Sequence, residues 1–247
     1  SKYLLCCSGT AVKLFACETG ALLRVLDGHT DNVTAVAHVA SNVFQALSAG
    51  LDGRILLWDL DDATVLRAFC VGRPIVAMAL HPAVQGTAFV LTAADQPPPA
   101  WTPAYAQGLA YGGRAYAVSL RVTKRSAKRA RELVVRGGRA GCEAAAGPAG
   151  DDGSDDAADA GAFGSLERPW PVDARPLFRT KSAALAVASC GEPSPLVAAV
   201  SGAWLTVHDT GDGATGHFCT RRERRAMLQC VALSPSERLA ATADEYG

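Results

Sequence analysis

Apolar positions along this chain come in short runs, many alternating with polar ones, and the runs are separated by Gly, Asp, Ser and Pro. That is the pattern of half-buried β-strands joined by tight turns. Val12 to Leu26 (VKLFACETGALLRVL) resembles Ile55 to Phe69 (ILLWDLDDATVLRAF), with Phe15 falling on Trp58 and Arg24 on Arg67, a shift of 43. Each copy is a strand, a turn and a strand, with Glu18-Thr19-Gly20 as the turn in one and Asp61-Asp62-Ala63 in the other. A repeat of this length is a supersecondary unit that buries its apolar face against its neighbours.

Other segments fit the same unit. Ile75 to Pro82 (IVAMALHP) reads like Val33 to His38 (VTAVAH), each as the first strand of a copy. Leu196 to Val200 and Trp204 to Asp209 (WLTVHD) repeat its second and third strands, with His208-Asp209 standing where Trp58-Asp59 stands. Leu228 to Pro235 begins another first strand, and Leu239 to Thr242 another second strand.

One copy carries a specific signature. Gly28-His29 precedes Trp58-Asp59 by thirty positions, and Leu51-Asp52-Gly53 lies between them. A GH pair and a WD pair at this spacing resemble a WD repeat, the four-stranded blade of a β-propeller. The resemblance gives His29, Ser48, Asp52 and Trp58 the roles of a hydrogen-bonded series that satisfies buried polar groups. Asp52-Gly53 is also a strong hairpin turn, because Gly accepts positive φ. In the other copies the position matching Asp52 reads as Gly9, Gly202 and Tyr246, so only the Trp58 copy carries the whole series. The expected fold class is all-β: an incomplete WD-repeat propeller of about four blade equivalents spanning 1–247. A half blade at each end leaves sheet edges unclosed, so the chain reads as a piece of a longer protein, unstable or aggregation-prone alone.

Two segments break the pattern. From Arg121 to Arg139 there are eight cations and one acid, around the strand-like runs Tyr116–Leu120 and Leu133–Val135, which predicts a basic hairpin loop at its centre. Gly141 to Gly164 is acidic and low in complexity, with Asp151, Asp152, Asp155, Asp156 and Asp159. It lacks the apolar content to order itself and reads as a disordered insertion near 141–164.

Composition narrows the function. The formal net charge is zero, so contact with nucleic acid must be local. No apolar run approaches the roughly 18 residues of a membrane-spanning helix, and no signal peptide opens the chain. The eight cysteines include no CxxC pair or Cys/His ligand spacing, so neither a metal nor a cofactor is expected. Most lie in apolar runs such as Leu4-Leu5-Cys6-Cys7, acting as small hydrophobes, which favours a reducing compartment.

Catalytic motifs are weak. The Asp151-Asp152 pair lies in a segment that does not preorganise a site. There is no G-x-S-x-G elbow and no phosphate-binding G-x-x-x-x-G-K loop. Gly211 to Gly216 matches G-x-G-x-x-G, but a dinucleotide site needs a helix to open there. The following His217-Phe218-Cys219-Thr220 is strand-like, so a hairpin turn accounts for the match. A non-enzymatic scaffold without a small-molecule substrate is the expectation.

The run SKYLLCCSGTAVKLFACETGALLRVLDGHTDNVTAV, then LDGRILLWDLDDATVLRAFCVG, resembles the N-terminal propeller of the WD repeat-containing protein 75 family. AYAVSLRV with RELVV, LVAAVSGAWLTVHD and LQCVALSPSERLAATADEYG keep the family's order. The resemblance implies ribosome biogenesis: a nucleolar subunit of the early small-subunit processome. It implies binding to the 5′ external transcribed spacer of pre-rRNA, processing towards 18S rRNA and a link to RNA polymerase I transcription. The implied partners are other WD-repeat and helical subunits of the early subcomplex. Candidate RNA contacts are Lys124, Arg125, Lys128, Arg129 and Arg131, with Arg221, Arg222, Arg224 and Arg225 as a second cluster, since cations on loops neutralise phosphates. A solvated charged surface is the plainer account of both. The rival function is a WD-repeat adaptor outside the ribosome pathway, such as a ubiquitin-ligase substrate receptor, because fold does not fix function.

Overall fold

The structure, a computed structural model, describes residues 2–80, 86–93, 113–121, 170–180, 184–188, 196–201, 204–209, 215–219, 228–234 and 239–244. These form strands with no helix among them. The chain divides into two compact units, 1–75 with 118–175 and 76–117 with 176–247.

The first unit begins with β1 (Tyr3–Ser8), β2 (Ala11–Ala16) and β3 (Leu22–Asp27), an antiparallel sheet of order β1-β2-β3. β4 (Val33–His38), β5 (Gln45–Gly50), β6 (Arg54–Asp59) and β7 (Thr64–Cys70) form the next sheet. β11 (Trp170–Pro171) adds to the outer edge of β7 in parallel. The two sheets bury one cluster that includes Val12, Leu14, Leu26, Val33, Leu56 and Trp58. Alternation selects these residues: Val12 and Leu14 share one face of β2, Leu56 and Trp58 one face of β6.

The internal repeat is reproduced in the hydrogen-bond registers. β2 pairs β3 and β6 pairs β7 with the same one-residue bulge, between Leu14 and Phe15 in one and between Leu57 and Trp58 in the other. The following turns also match. Gly20 has φ 69° and Ala63, 43 residues on, has φ 55°. Glycine adopts that left-handed conformation freely, whereas alanine is strained in it.

The registers correct one expectation. Ala16 opposes Tyr3, and Asp59 opposes Gln45. β2 therefore maps onto β6 at a shift of 43, but β1 maps onto β5 at a shift of 42. The turn from β1 to β2 holds two residues, Gly9 and Thr10, where the turn from β5 to β6 holds three, Leu51, Asp52 and Gly53. One position of the longer turn thus has no counterpart in the first sheet: Gly9 lies 42 positions before Leu51 and 43 before Asp52, so the match of Gly9 to Asp52 holds only when counted from β2.

β8 (Ile75–Leu80), β9 (Thr87–Thr92), β10 (Gly113–Ser119) and β12 (Asp173–Thr180), most of whose residues fall in the second unit, form a sheet of order β12-β10-β9-β8. Sequence reading found β8 and β10 but not β9 or β12 as strands. β13 (Ala184–Ala188), β14 (Leu196–Ser201), β15 (Trp204–Asp209) and β16 (Thr215–Cys219) form a four-stranded antiparallel sheet. β17 (Leu228–Leu233) pairs with β18 (Ala240–Asp244). Ala198, Val200 and Leu205 form a small core against which Leu228 and Val231 pack. These four-stranded antiparallel sheets, with the repeat behind them, give the fold class of an incomplete WD-repeat β-propeller.

Most of the basic loop near 121–139, the acidic insertion near 141–164 and the Leu133–Val135 run lie outside the described residues.

Candidate functional site

The best-defined polar constellation is held by the β4–β7 sheet. Trp58 on β6 and Ser48 on β5 are fully buried, and His29, before β4, is 5% exposed. Trp58 Nε1 donates to Ser48 Oγ at 2.7 Å, and His29 Nε2 lies 2.7 Å from the same oxygen. His29 Nδ1 lies 2.9 Å and 3.1 Å from the two carboxylate oxygens of Asp52. The network assigns the tautomer. Ser48 Oγ accepts from Trp58 and donates to His29 Nε2, and His29 Nδ1–H donates to Asp52. Each buried donor then has an acceptor.

Asp52 binds more than the sequence suggested. Its carboxylate also accepts the backbone N–H groups of Thr30 at 3.1 Å and Arg54 at 3.0 Å. It joins the segment before β4, the imidazole and the start of β6. Burial alone would raise its pKa. The hydrogen bond from His29, with the N–H groups of Arg54 and Thr30, outweighs that and holds the carboxyl below its ordinary value.

Gly50 permits the arrangement. A Cβ there would sit 3.0 Å from His29 Nδ1, 3.0 Å from the Asn32 carbonyl and 3.1 Å from Asp52 Oδ1. Gly53 follows with φ 74°, closing the three-residue turn through its N–H to the Gly50 carbonyl at 3.1 Å. The motif signalled Asp52 and Gly53. It did not signal Gly50, whose need comes from a close approach across the strand.

The constellation fixes a shape. Ser48, His29 and Asp52 occur together as they do in a hydrolase triad, but Ser48 Oγ has no exposed surface and is held by Trp58. It reaches no substrate. The copies that lost the motif lost its chemistry at matched positions. In the first sheet Ser48 is replaced by Cys6 and Trp58 by Phe15. In the β13–β16 sheet they are replaced by Ala199 and His208, again with two residues between β14 and β15. His208 instead stacks on Phe178, with ring centroids 3.5 Å apart and planes at 12°.

Of the other expected sites, Lys124, Arg125, Lys128, Arg129, Arg131, Arg221, Arg222, Arg224 and Arg225 lie outside the described residues. The G-x-G-x-x-G match runs into β16, which holds its last two residues, Thr215 and Gly216, in a strand antiparallel to β15 and not in a helix, so no helix N-terminus follows it to meet a pyrophosphate. Among the described residues there is no group of three or more His, Cys, Asp or Glu placed to hold a metal ion. Cys6, Cys7, Cys17 and Cys230 are free thiols. Burial, and then the neighbouring Cys6, raise the Cys7 pKa. Cys70, buried at the end of β7, departs from the reduced-thiol expectation because it is disulfide-bonded.

Residues 1–99 match the family model described as the WD repeat-containing protein 75 first beta-propeller. The match takes in 99 of the 247 residues, and this segment is similar to that family's first propeller. WD repeat-containing protein 75 of Danio rerio is 32% identical over 91 residues, which are 37% of this chain and 11% of that protein. The Mus musculus protein of the same name is 32% identical over 97 residues, 39% of this chain and 12% of the relative. Set1 complex component swd1 of Schizosaccharomyces pombe is 31% identical over 88 residues, 36% of this chain and 22% of that protein. The matched region spans only about an eighth of the WD repeat-containing protein 75 relatives' length. It contains β1 to β9, and with them all four residues of the His29–Trp58 network.

Proposed function

We propose that the chain is a non-catalytic WD-repeat scaffold of ribosome biogenesis. It acts in the early small-subunit processome, in the nucleolus, supporting pre-rRNA processing towards 18S rRNA and RNA polymerase I transcription. The supporting observation is the family match over residues 1–99, which takes in the intact blade and the degenerate first sheet together. A WD signature alone is common to many propellers. A network of buried side chains with no exposed nucleophile is in keeping with a scaffold. Its partners are WD-repeat and helical subunits of the early subcomplex and the 5′ external transcribed spacer, and cationic loops supply salt-sensitive phosphate contacts.

The test is affinity purification of the protein from nuclear extract after ultraviolet crosslinking. Processome subunits and 5′ spacer RNA are the expected recovery. Changing Arg221, Arg222, Arg224 and Arg225 to Glu is expected to weaken the RNA crosslink while protein partners are retained. An unchanged crosslink removes these arginines from the RNA surface, and recovery of a stable complex without pre-rRNA overturns the reading. A WD-repeat adaptor outside the ribosome pathway has one observation in its favour, the likeness to a Set1 complex component. It predicts chromatin-modifying or ligase subunits in the same purification.

A further inference from the structure

The outer edges of the first two sheets are built alike, but among the described residues only one is covered. On β7, the chain's own segment β11 adds in parallel, with Trp170 opposite Phe69 and Pro171 opposite Cys70. Val172 N–H donates to the Cys70 carbonyl at 3.4 Å, and Val172 is 4% exposed. Pro171 occupies the alternate position, where a strand residue's N–H points away from its neighbour, so its lack of a donor costs no ladder bond.

β3 is the counterpart of β7 at the shift of 43, with the same bulge. The backbone groups of Val25 and Asp27 turn outwards there as those of Ala68 and Cys70 do on β7, because alternate residues of a strand bond to opposite sides. Among the described residues no strand lies on this edge. Edge strands are normally blunted with charges or proline. β3 reads LLRVLD, with Leu22 50%, Leu23 36% and Val25 46% exposed. Its one cation does not guard the open groups. Arg24 is drawn back onto the Leu23 carbonyl at 2.9 Å and the Asp61 carbonyl at 3.3 Å. Val25 and Asp27 are left free to pair, beside exposed aliphatic side chains.

We propose that the outer edge of β3 is a docking site for an extended apolar–Pro–apolar segment of a protein partner. The segment joins the first sheet as a parallel fourth strand in the manner of Trp170–Val172 on β7. The incoming residue after the proline donates its N–H to the Asp27 carbonyl, as Val172 does to Cys70. The proline then leaves the new edge without a donor and stops further addition.

The probe is a synthetic peptide with the sequence of residues 168–174 (RPWPVDA), added to the 247-residue chain, with binding read by anisotropy and amide hydrogen exchange. At saturation the Val25 and Asp27 amides are expected to exchange at least about tenfold more slowly, with β7 unchanged. A peptide methylated on the backbone nitrogen of the residue matching Val172 is expected not to bind. Val25→Glu is expected to weaken binding about tenfold. That variant stays folded because position 25 lies on an edge, is half exposed and faces Lys13. Four results overturn the proposal: no slowing at Val25 and Asp27, equal binding of the methylated peptide, peptide exchanging with β11 on β7, or protection that grows with protein concentration without peptide. The last makes a second copy of the chain the occupant.

Discussion

Replacing Ser48 with Ala tests whether the polar series holds the β4–β7 sheet together. Ser48 Oγ is the shared partner of Trp58 Nε1 and His29 Nε2, both at 2.7 Å and both beyond the reach of water. The substitution strands one donor and one acceptor, each costing about 1–3 kcal/mol when buried unsatisfied. It also removes a hydroxyl whose own burial costs about 1 kcal/mol. The net loss is about 3 kcal/mol. The assay is native-state hydrogen exchange of the β5 and β6 amides, where that loss appears as exchange about a hundredfold faster. Combining it with Trp58→Phe isolates the shared bond. The two changes are expected to couple by about 1–2 kcal/mol, because the second removes the donor the first had stranded. A loss under about 0.5 kcal/mol, or strict additivity of the pair, would refute the idea that Ser48 links the tryptophan to the histidine.

Two further outcomes follow from the same region. The Asp52 carboxyl is held below its usual value, 3.8, so its contribution to stability is fully present above that value. It is lost as pH falls through the lower, folded-state pKa. Exchange of the β4–β6 amides is expected to accelerate over that acid interval in the parent chain and to show a weaker pH dependence in Asp52→Asn; identical profiles would count against the assignment. Ala63 has φ 55° where its counterpart Gly20 has 69°, so Ala63→Gly removes strain of about 1–2 kcal/mol against a glycine entropy cost of about 0.5–1 kcal/mol. A net stabilisation of about 0.5 kcal/mol is expected by chemical denaturation, and a destabilised variant would contradict the strain.

The sequence made β5, β6 and the network legible because each residue had a local reason to be noticed. Asp52-Gly53 marks a turn, Trp58 sits on an alternating apolar run, and the GH pair stands at blade spacing. What it concealed was non-local. β11 is two residues long and pairs in parallel with β7, a hundred residues earlier in the chain. β12 carries Arg175, Pro176 and Arg179 through its length, which interrupts the period-two pattern. Gly50 is required largely by Asn32 and His29, whose atoms converge on it from 18 and 21 positions away. The one-residue difference between the turns is also non-local, because it shows only when the pairing of β1 with β2 is set beside that of β5 with β6.

That missing turn residue limits what mutation can restore. Substituting Ser for Cys6 and Trp for Phe15 would recreate two side chains of the network, yet no substitution restores the length of the three-residue turn that presents the Asp52 carboxylate to His29. Recovery requires an insertion, with a glycine able to follow it at positive φ. Point mutations arise far more often than in-frame single-codon insertions, so the length of this turn is harder to regain than any one side chain. Consensus engineering confined to substitutions is expected to stall at the same step.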